Sequence, residues 1–173
     1  MKTEQILTLM KVLSWIVFIG LCIQTGIAIT ITALSFINSP EVILDQLSGA
    51  DLTALFEYNT QTYLYFMSFV IALLALKAYL FYLVIKIFSK INLSKPFSPV
   101  MIALIQKISH IALGIGVVTI IAERYTRWLM HKGLDLPKNW SGEEFLFLAG
   151  IIYIIGLVFK RGIEMQSENE LTI

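Results

Sequence analysis

Apolar residues in this chain gather into long runs and seldom alternate with polar ones. Three runs are long, at about 12–37, 63–89 and 100–122, and a fourth, FLFLAGIIYIIGLVF, is short. A helix needs roughly 20 apolar residues, at 1.5 Å each, to cross a hydrocarbon core of ~30 Å. The pattern predicts an all-α membrane protein with four transmembrane helices, at about 12–37, 63–89, 100–122 and 144–160. The fourth spans if Glu144 and Lys160 lie at the two interfaces, or if the bilayer thins around it. Boundary signals agree. Ser98-Pro99 offers a capping hydroxyl and a proline at the first helical position. Ser141 and Glu144 form a capping box ahead of the fourth run, and Asn38-Ser39-Pro40 closes the first.

Between these runs the loop 38–62 holds two shorter patterns, EVILDQL and DLTALFEY. Their apolar residues (Ile43, Leu44 and Leu47, then Leu52, Leu55 and Phe56) recur at helical spacing. They predict short amphipathic helices lying on the outer leaflet. Trp128 and Trp140, in and near the last outer loop, read as interface anchors. The first span carries mostly small or hydroxyl residues on one stripe, Ser14, Thr25, Ala28, Thr32 and Ser35, with Leu21 interrupting it. Gly114 and Gly116 in the third span, and Gly150 and Gly156 in the fourth, suggest close helix packing of the same kind. The expectation is one compact domain over 1–173, a four-helix bundle.

Composition sharpens this picture. The chain is 57% hydrophobic and 14% charged, against about 25% charged in soluble domains. Cys22 is alone, so no internal disulfide forms. The first span has no A-x-A-like site after it, and Leu21 precedes Cys22 where a lipoprotein signal needs a small residue. It therefore reads as an uncleaved anchor. Four spans place both termini on one side. Lys2, Lys11, Lys86, Lys90, Lys95, Lys160 and Arg161 fall there, with Lys107 a candidate addition. Arg124, Arg127, Lys132 and Lys138 fall on the other side, so the bias puts both termini in the cytoplasm.

The chemistry inside the membrane is sparse. Lys77 stands in the apolar stretch IALLALKAYLFYLVIK, residues 71–86. It lies about 13 Å from the interface marked by Lys86, and a side chain of ~6 Å does not cover that distance. A charge at this depth costs ~2.5 kcal/mol or more. Gln24 in the first span and His110 in the third fall at a similar depth, where the sequence places no carboxylate. These three are candidates for a midplane polar site that binds an anionic or polar ligand or relays a proton. The simpler reading makes them helix-to-helix glue, worth ~0.6 kcal/mol each. Glu123, Arg127 and His131 share a face at the outer end of the third span and read as a solvated ion pair and anchor. No metal-ligand spacing, nucleophile motif, phosphate loop or intramembrane acid pair occurs in the sequence. The expectation is no catalytic residue, no metal and no cofactor, and so no enzyme.

Two cytoplasmic stretches carry a resemblance. NLSKPFSP (92–99) and RGIEMQSENELTI (161–173) resemble the bacterial domain-of-unknown-function family 2975. That family has four membrane helices, a PFSP segment before the third, and an ending like G-x-E-x-Q-x-E-N-x-L-T-[IV]. The resemblance extends over essentially the whole chain. It implies an integral protein of the bacterial cytoplasmic membrane. Its genes commonly neighbour one for a small helix-turn-helix DNA-binding protein, which implies a regulatory pair. It brings no activity and no catalytic residues. The expected contact surface for such a partner is Pro96 and Phe97 with the acidic tail, Glu164, Glu168, Asn169, Glu170 and Leu171. The protein itself is not expected to bind nucleic acid directly. Rival readings are a lipid or small-molecule binding or transport bundle, and an accessory subunit of a larger membrane complex. The first of these favours a homo-oligomer, since four spans make a thin bundle.

Overall fold

The structure, a computed structural model, describes residues 3–37, 52–91, 98–136, 140 and 142–170, without the side chains of 3 and 166–170. Among them every regular element is helical: α1 (Thr3–Leu34), α2 (Leu52–Tyr58), α3 (Thr60–Lys90), α4 (Pro99–Met130) and α5 (Gly142–Glu170). The four long helices are apolar enough to cross a membrane, so this is a multi-pass membrane architecture. The second loop pattern forms α2, while EVILDQL and Ser141 lie outside the described residues.

All four long helices overrun the apolar stretches that announce them. α1 starts at Thr3, well before residue 12, and gives way at Leu34 to a turn over Ser35–Ile37. α4 continues past residue 122 to Met130, and α5 past residue 160 to Glu170. The reason is that an apolar run reports the hydrocarbon thickness. A helix already nucleated there propagates into the interface at little cost. Ser98 caps α4 through Met101 N at 3.2 Å, with Pro99 next. Asn59 caps α3 by accepting from Gln61 N and Thr62 N at 2.8 and 3.2 Å. Gly133, at φ 91, turns the chain after α4 in a conformation that favours glycine.

The helices form a row in which each runs antiparallel to its neighbour. α1 packs on α3, α3 on α4, and α4 on α5, while α2 sits on α3. No close backbone contact joins α1 to α4 or α5 among the described residues, so the row does not close into the expected bundle. The N-terminus of α1 and the C-terminus of α5 fall at the same end of the row, here the termini end. The α1 stripe is the face set against α3: Ser14, Ala28 and Ser35 are buried, and Phe18, Leu21, Thr25 and Thr32 half-buried. These seven residues alternate at spacings of four and three, a heptad seam. Their hydroxyls are satisfied within α1. Ser14, Thr25, Thr32 and Ser35 donate to the carbonyls of Met10, Leu21, Ala28 and Ile31 at 2.7–2.8 Å. The seam therefore packs closely without needing polar partners on α3.

A tighter seam joins α4 to α5. Gly142, Ala149 and Gly156 recur at heptad spacing and meet Thr119, Ala112 and Ile105, which recur likewise. A Cβ on Gly116 would lie 2.6 Å from Leu146 Cδ2, one on Gly142 3.0 Å from Thr119 Cγ2, and one on Gly156 3.3 Å from Ile105 Cγ2. Ser109, buried, donates across the seam to the Ala149 carbonyl at 3.0 Å. Gly114 and Gly150 take no part, since a Cβ on either would meet nothing within 4 Å. This register starts α5 beside Thr119, so α4 projects about 16 Å beyond it.

The space left there is filled by a cap. Leu55 of α2, Tyr63 and Phe66 of α3, Leu129 of α4 and Leu136 of the following segment form one buried cluster with Ala28 and Ile31 of α1. Tyr63 is fully buried. Because Ser35 gives its hydrogen to Ile31, Tyr63 is the donor in the 3.1 Å contact between the two hydroxyls. Trp140 is part of this cap and does not serve as a lipid-facing anchor. Its indole N–H donates to Thr126 Oγ1 at 3.1 Å and its ring meets Phe66 edge-on at 5.5 Å. Trp128 is the exposed one, stacked on Tyr125 with Lys132 Nζ 5.7 Å from its ring centroid.

Gly116→Ala is expected to cost about 1–3 kcal/mol, because Leu146 must move, whereas Gly150→Ala stays within about 0.5 kcal/mol. Unfolding of the two variants in one detergent checks this, and equal losses would contradict the seam. Tyr63→Phe, measured the same way, is expected to lose about 1 kcal/mol.

Candidate functional site

The seam register decides where Lys77 points. Because α5 starts deep beside α4, its first turn stands near the level of the middle of α3. Side chains on a helix lean toward its N-terminus, and the N-terminus of α3 is at the cap end. Lys77 accordingly rises toward the cap end and places Nζ 5.2 Å from the centroid of the Phe145 ring. The sequence had measured its reach only toward Lys86, at the opposite end. Glu143 and Glu144, both exposed, stand in the same first turn as Phe145. Carboxylates are thus carried toward a level where the sequence placed none. Lys77 is half-buried and makes no hydrogen bond or ion pair among the described residues. Its ammonium faces an aromatic ring at the edge of a polar helix start, an arrangement that softens the cost of the charge.

Gln24 and His110 do not join it. Gln24 is exposed on α1, beside the seam. His110 is exposed on α4, and its Nδ1–H donates to the Gln106 carbonyl at 2.7 Å. On a helical projection His110 points away from both α3 and α5, whose contacts occupy the other side of α4. Depth matching had set the three at one level. The structure brings neither Gln24 nor His110 into contact with Lys77 among the described residues.

The second polar cluster keeps the arrangement its spacing indicates. Glu123 pairs with Arg127 one turn on, and His131 Nδ1–H donates to the Arg127 carbonyl at 2.7 Å. With Thr126 and Met130 they line a hollow of about 360 Å³. It continues, above the start of α5, the α4 face that α5 covers below. At the termini end, Glu164 is half-buried and accepts from Arg161 at 2.9 Å. Glu168, Asn169 and Glu170 lie on the last turns of the α5 backbone. Pro96, Phe97 and Leu171 lie outside the described residues.

Sequence reasoning missed Phe145, Asn59 and the Tyr63–Ser35 pair. Phe145 carried no local signal, since its role follows from where α5 starts. Asn59 was legible as a capping residue ahead of the second span.

No curated protein and no solved structure matches the chain. A family model described as "Protein of unknown function (DUF2975)" matches residues 49–173, which leaves α1 outside. The match takes in α2 to α5 together with NLSKPFSP and RGIEMQSENELTI, and the chain belongs to this family.

Proposed function

We propose that the protein is a non-enzymatic sensor or regulatory partner in the bacterial cytoplasmic membrane. Both termini face the cytoplasm, where it engages a small helix-turn-helix DNA-binding protein. The Lys and Arg bias supports the orientation, and the family resemblance supports the partner class. The observation that carries the reading is the length of α5. It continues as helix from Lys160 to Glu170, about 15 Å past the apolar run, at the end of the row where α3 ends and α4 begins. A helical backbone that carries the acidic positions 164, 168 and 170 beyond the apolar run suits a basic partner. The cap at the far end, with α2 packed into it, is the part placed to meet an external signal.

A second reading has its own observation. Lys77 is a half-buried cation with a ring contact and no ion pair among the described residues. On this reading Lys77, beside the first turn of α5, would bind an anionic ligand.

The N-terminally tagged full chain, purified from its own cells in mild detergent, is expected to retain a small DNA-binding protein. The form truncated after Gly162 is expected to lose it. Retention of the partner by the truncated form would remove the tail from the proposal. Lys77→Leu is expected to keep the partner and to unfold no earlier than wild type, because it removes an unpaired charge from the span. Loss of regulation with unchanged folding would carry the second reading instead.

A further inference from the structure

α1 stands at the end of the row, and only 6% of its most apolar stretch is buried, the least of the four long helices. Its exposed side is not uniform. Met10, Leu13, Val17, Gly20, Gln24 and Ile27 are all exposed and recur at spacings of three and four. They form a second heptad stripe, about a quarter-turn round the helix from the α3 seam. No charged residue interrupts it. A Cβ on Gly20 would meet nothing within 4 Å, so a neighbouring backbone has room to come close there. α5, at the other end of the row, makes no close backbone contact with α1 among the described residues, which leaves the stripe open. Gln24 decides what covers it. This residue lies about 20 Å along the helix from Lys11 and about 15 Å from Leu34, too deep for its amide to reach water at either end. The amide makes no hydrogen bond among the described residues. Lipid tails offer neither donor nor acceptor, so the group that satisfies it has to come from protein.

We propose that this stripe is a homodimer interface, on which α1 of a second copy packs in parallel about a two-fold axis along the membrane normal. Both copies insert the same way round, so the two-fold sets each residue of the stripe near its own counterpart. That symmetry suits Gln24 in particular. A carboxamide carries both donor and acceptor. The two Gln24 side chains therefore satisfy each other with reciprocal N–H···O=C bonds across the axis. A lone carboxylate or ammonium would not be complementary to its own image. Gly20, about one turn away, lets the helices come close enough for those bonds, and the apolar positions interdigitate to either side. α1 then carries a heptad seam on each of two adjoining faces, one for α3 and one for the second copy.

Two measurements test this. In the first, the full chain with Cys22→Ser carries single cysteines and is mildly oxidised in its own membranes. Leu13→Cys and Val17→Cys are expected to give a disulfide-linked product of twice the chain's mass. Ile19→Cys, and Cys22 in the wild type, are expected to give little, because both positions face away from the stripe. In the second, the purified full chain is labelled with donor and acceptor dyes and diluted in phosphatidylcholine vesicles, where no other protein is present. Energy transfer is expected to report wild-type dimers. Gln24→Leu is expected to dimerise about tenfold more weakly, equivalent to roughly 1.4 kcal/mol, and Gln24→Asn to keep most of the affinity. Gln24 is exposed and outside the α3 seam, so these variants keep the monomer fold, which thermal unfolding in detergent checks. No energy transfer by wild type, no cross-linking at Leu13→Cys and Val17→Cys, equal cross-linking at all four positions, or unchanged dimerisation of Gln24→Leu overturns the proposal. A cross-linked product of any other mass would also overturn it, by giving the stripe to a different protein. Neither measurement involves the cytoplasmic tail, so the outcome is separate from that of the regulatory reading.

Discussion

The close approach of α5 to α4 is the constraint on which most of the structure depends. At Gly116 the helices approach nearer than a Cβ would permit, and at Gly142 a Cβ would fit only tightly; the heptad spacing of Gly142, Ala149 and Gly156 repeats that fit along the helix. Sliding α5 by one turn would drive Leu146 against a residue with a side chain. The register is therefore fixed. From it follow the short start of α5, the exposed upper third of α4, the cap that fills the gap, and the level at which Phe145 meets Lys77.

Two kinds of cohesion meet in the row. Along the seams apolar burial gives little, because lipid is as apolar as the neighbouring helix. Shape supplies the attraction, and buried hydroxyls are kept from competing. Thr119 and Thr126 donate to the carbonyls of Ile115 and Ala122, as the α1 hydroxyls do within their own helix. In the cap the fully buried Leu55, Tyr63 and Leu129 come from three different helices. Their packing resembles the core of a small soluble domain, tied by the Tyr63–Ser35 and Trp140–Thr126 bonds.

The existence of the four long helices was legible because hydrocarbon thickness imposes a run length that nothing else in the chain imitates. The cap at Ser98-Pro99 was legible because its chemistry is local. The α1 stripe was visible too, since hydroxyl and small residues mark a packing face wherever they repeat. Which glycines matter was not. Gly116 and Gly114 differ by two positions and look alike in sequence, yet one lies in a seam and the other faces open space. The direction of Lys77, the packing of Trp140 into the cap and the separation of Gln24 and His110 were hidden for the same reason. Each depends on the register between helices, and depth counted along one helix at a time does not contain that register.

The manner in which α1 is attached has a consequence for how the protein is made. α1 precedes α3 in the chain, so it is made before the helix it packs against. Its seam hydroxyls already bond within their own turns, so waiting alone in lipid leaves none of them unpaired. When α3 arrives, the two zip along a ready surface, and the Tyr63 hydroxyl closing on Ser35 works as a latch at the end of the zipper. A helix of this kind carries no unpaired hydroxyl on its packing face before its neighbour arrives. Its assembly can be late and reversible until the latch engages.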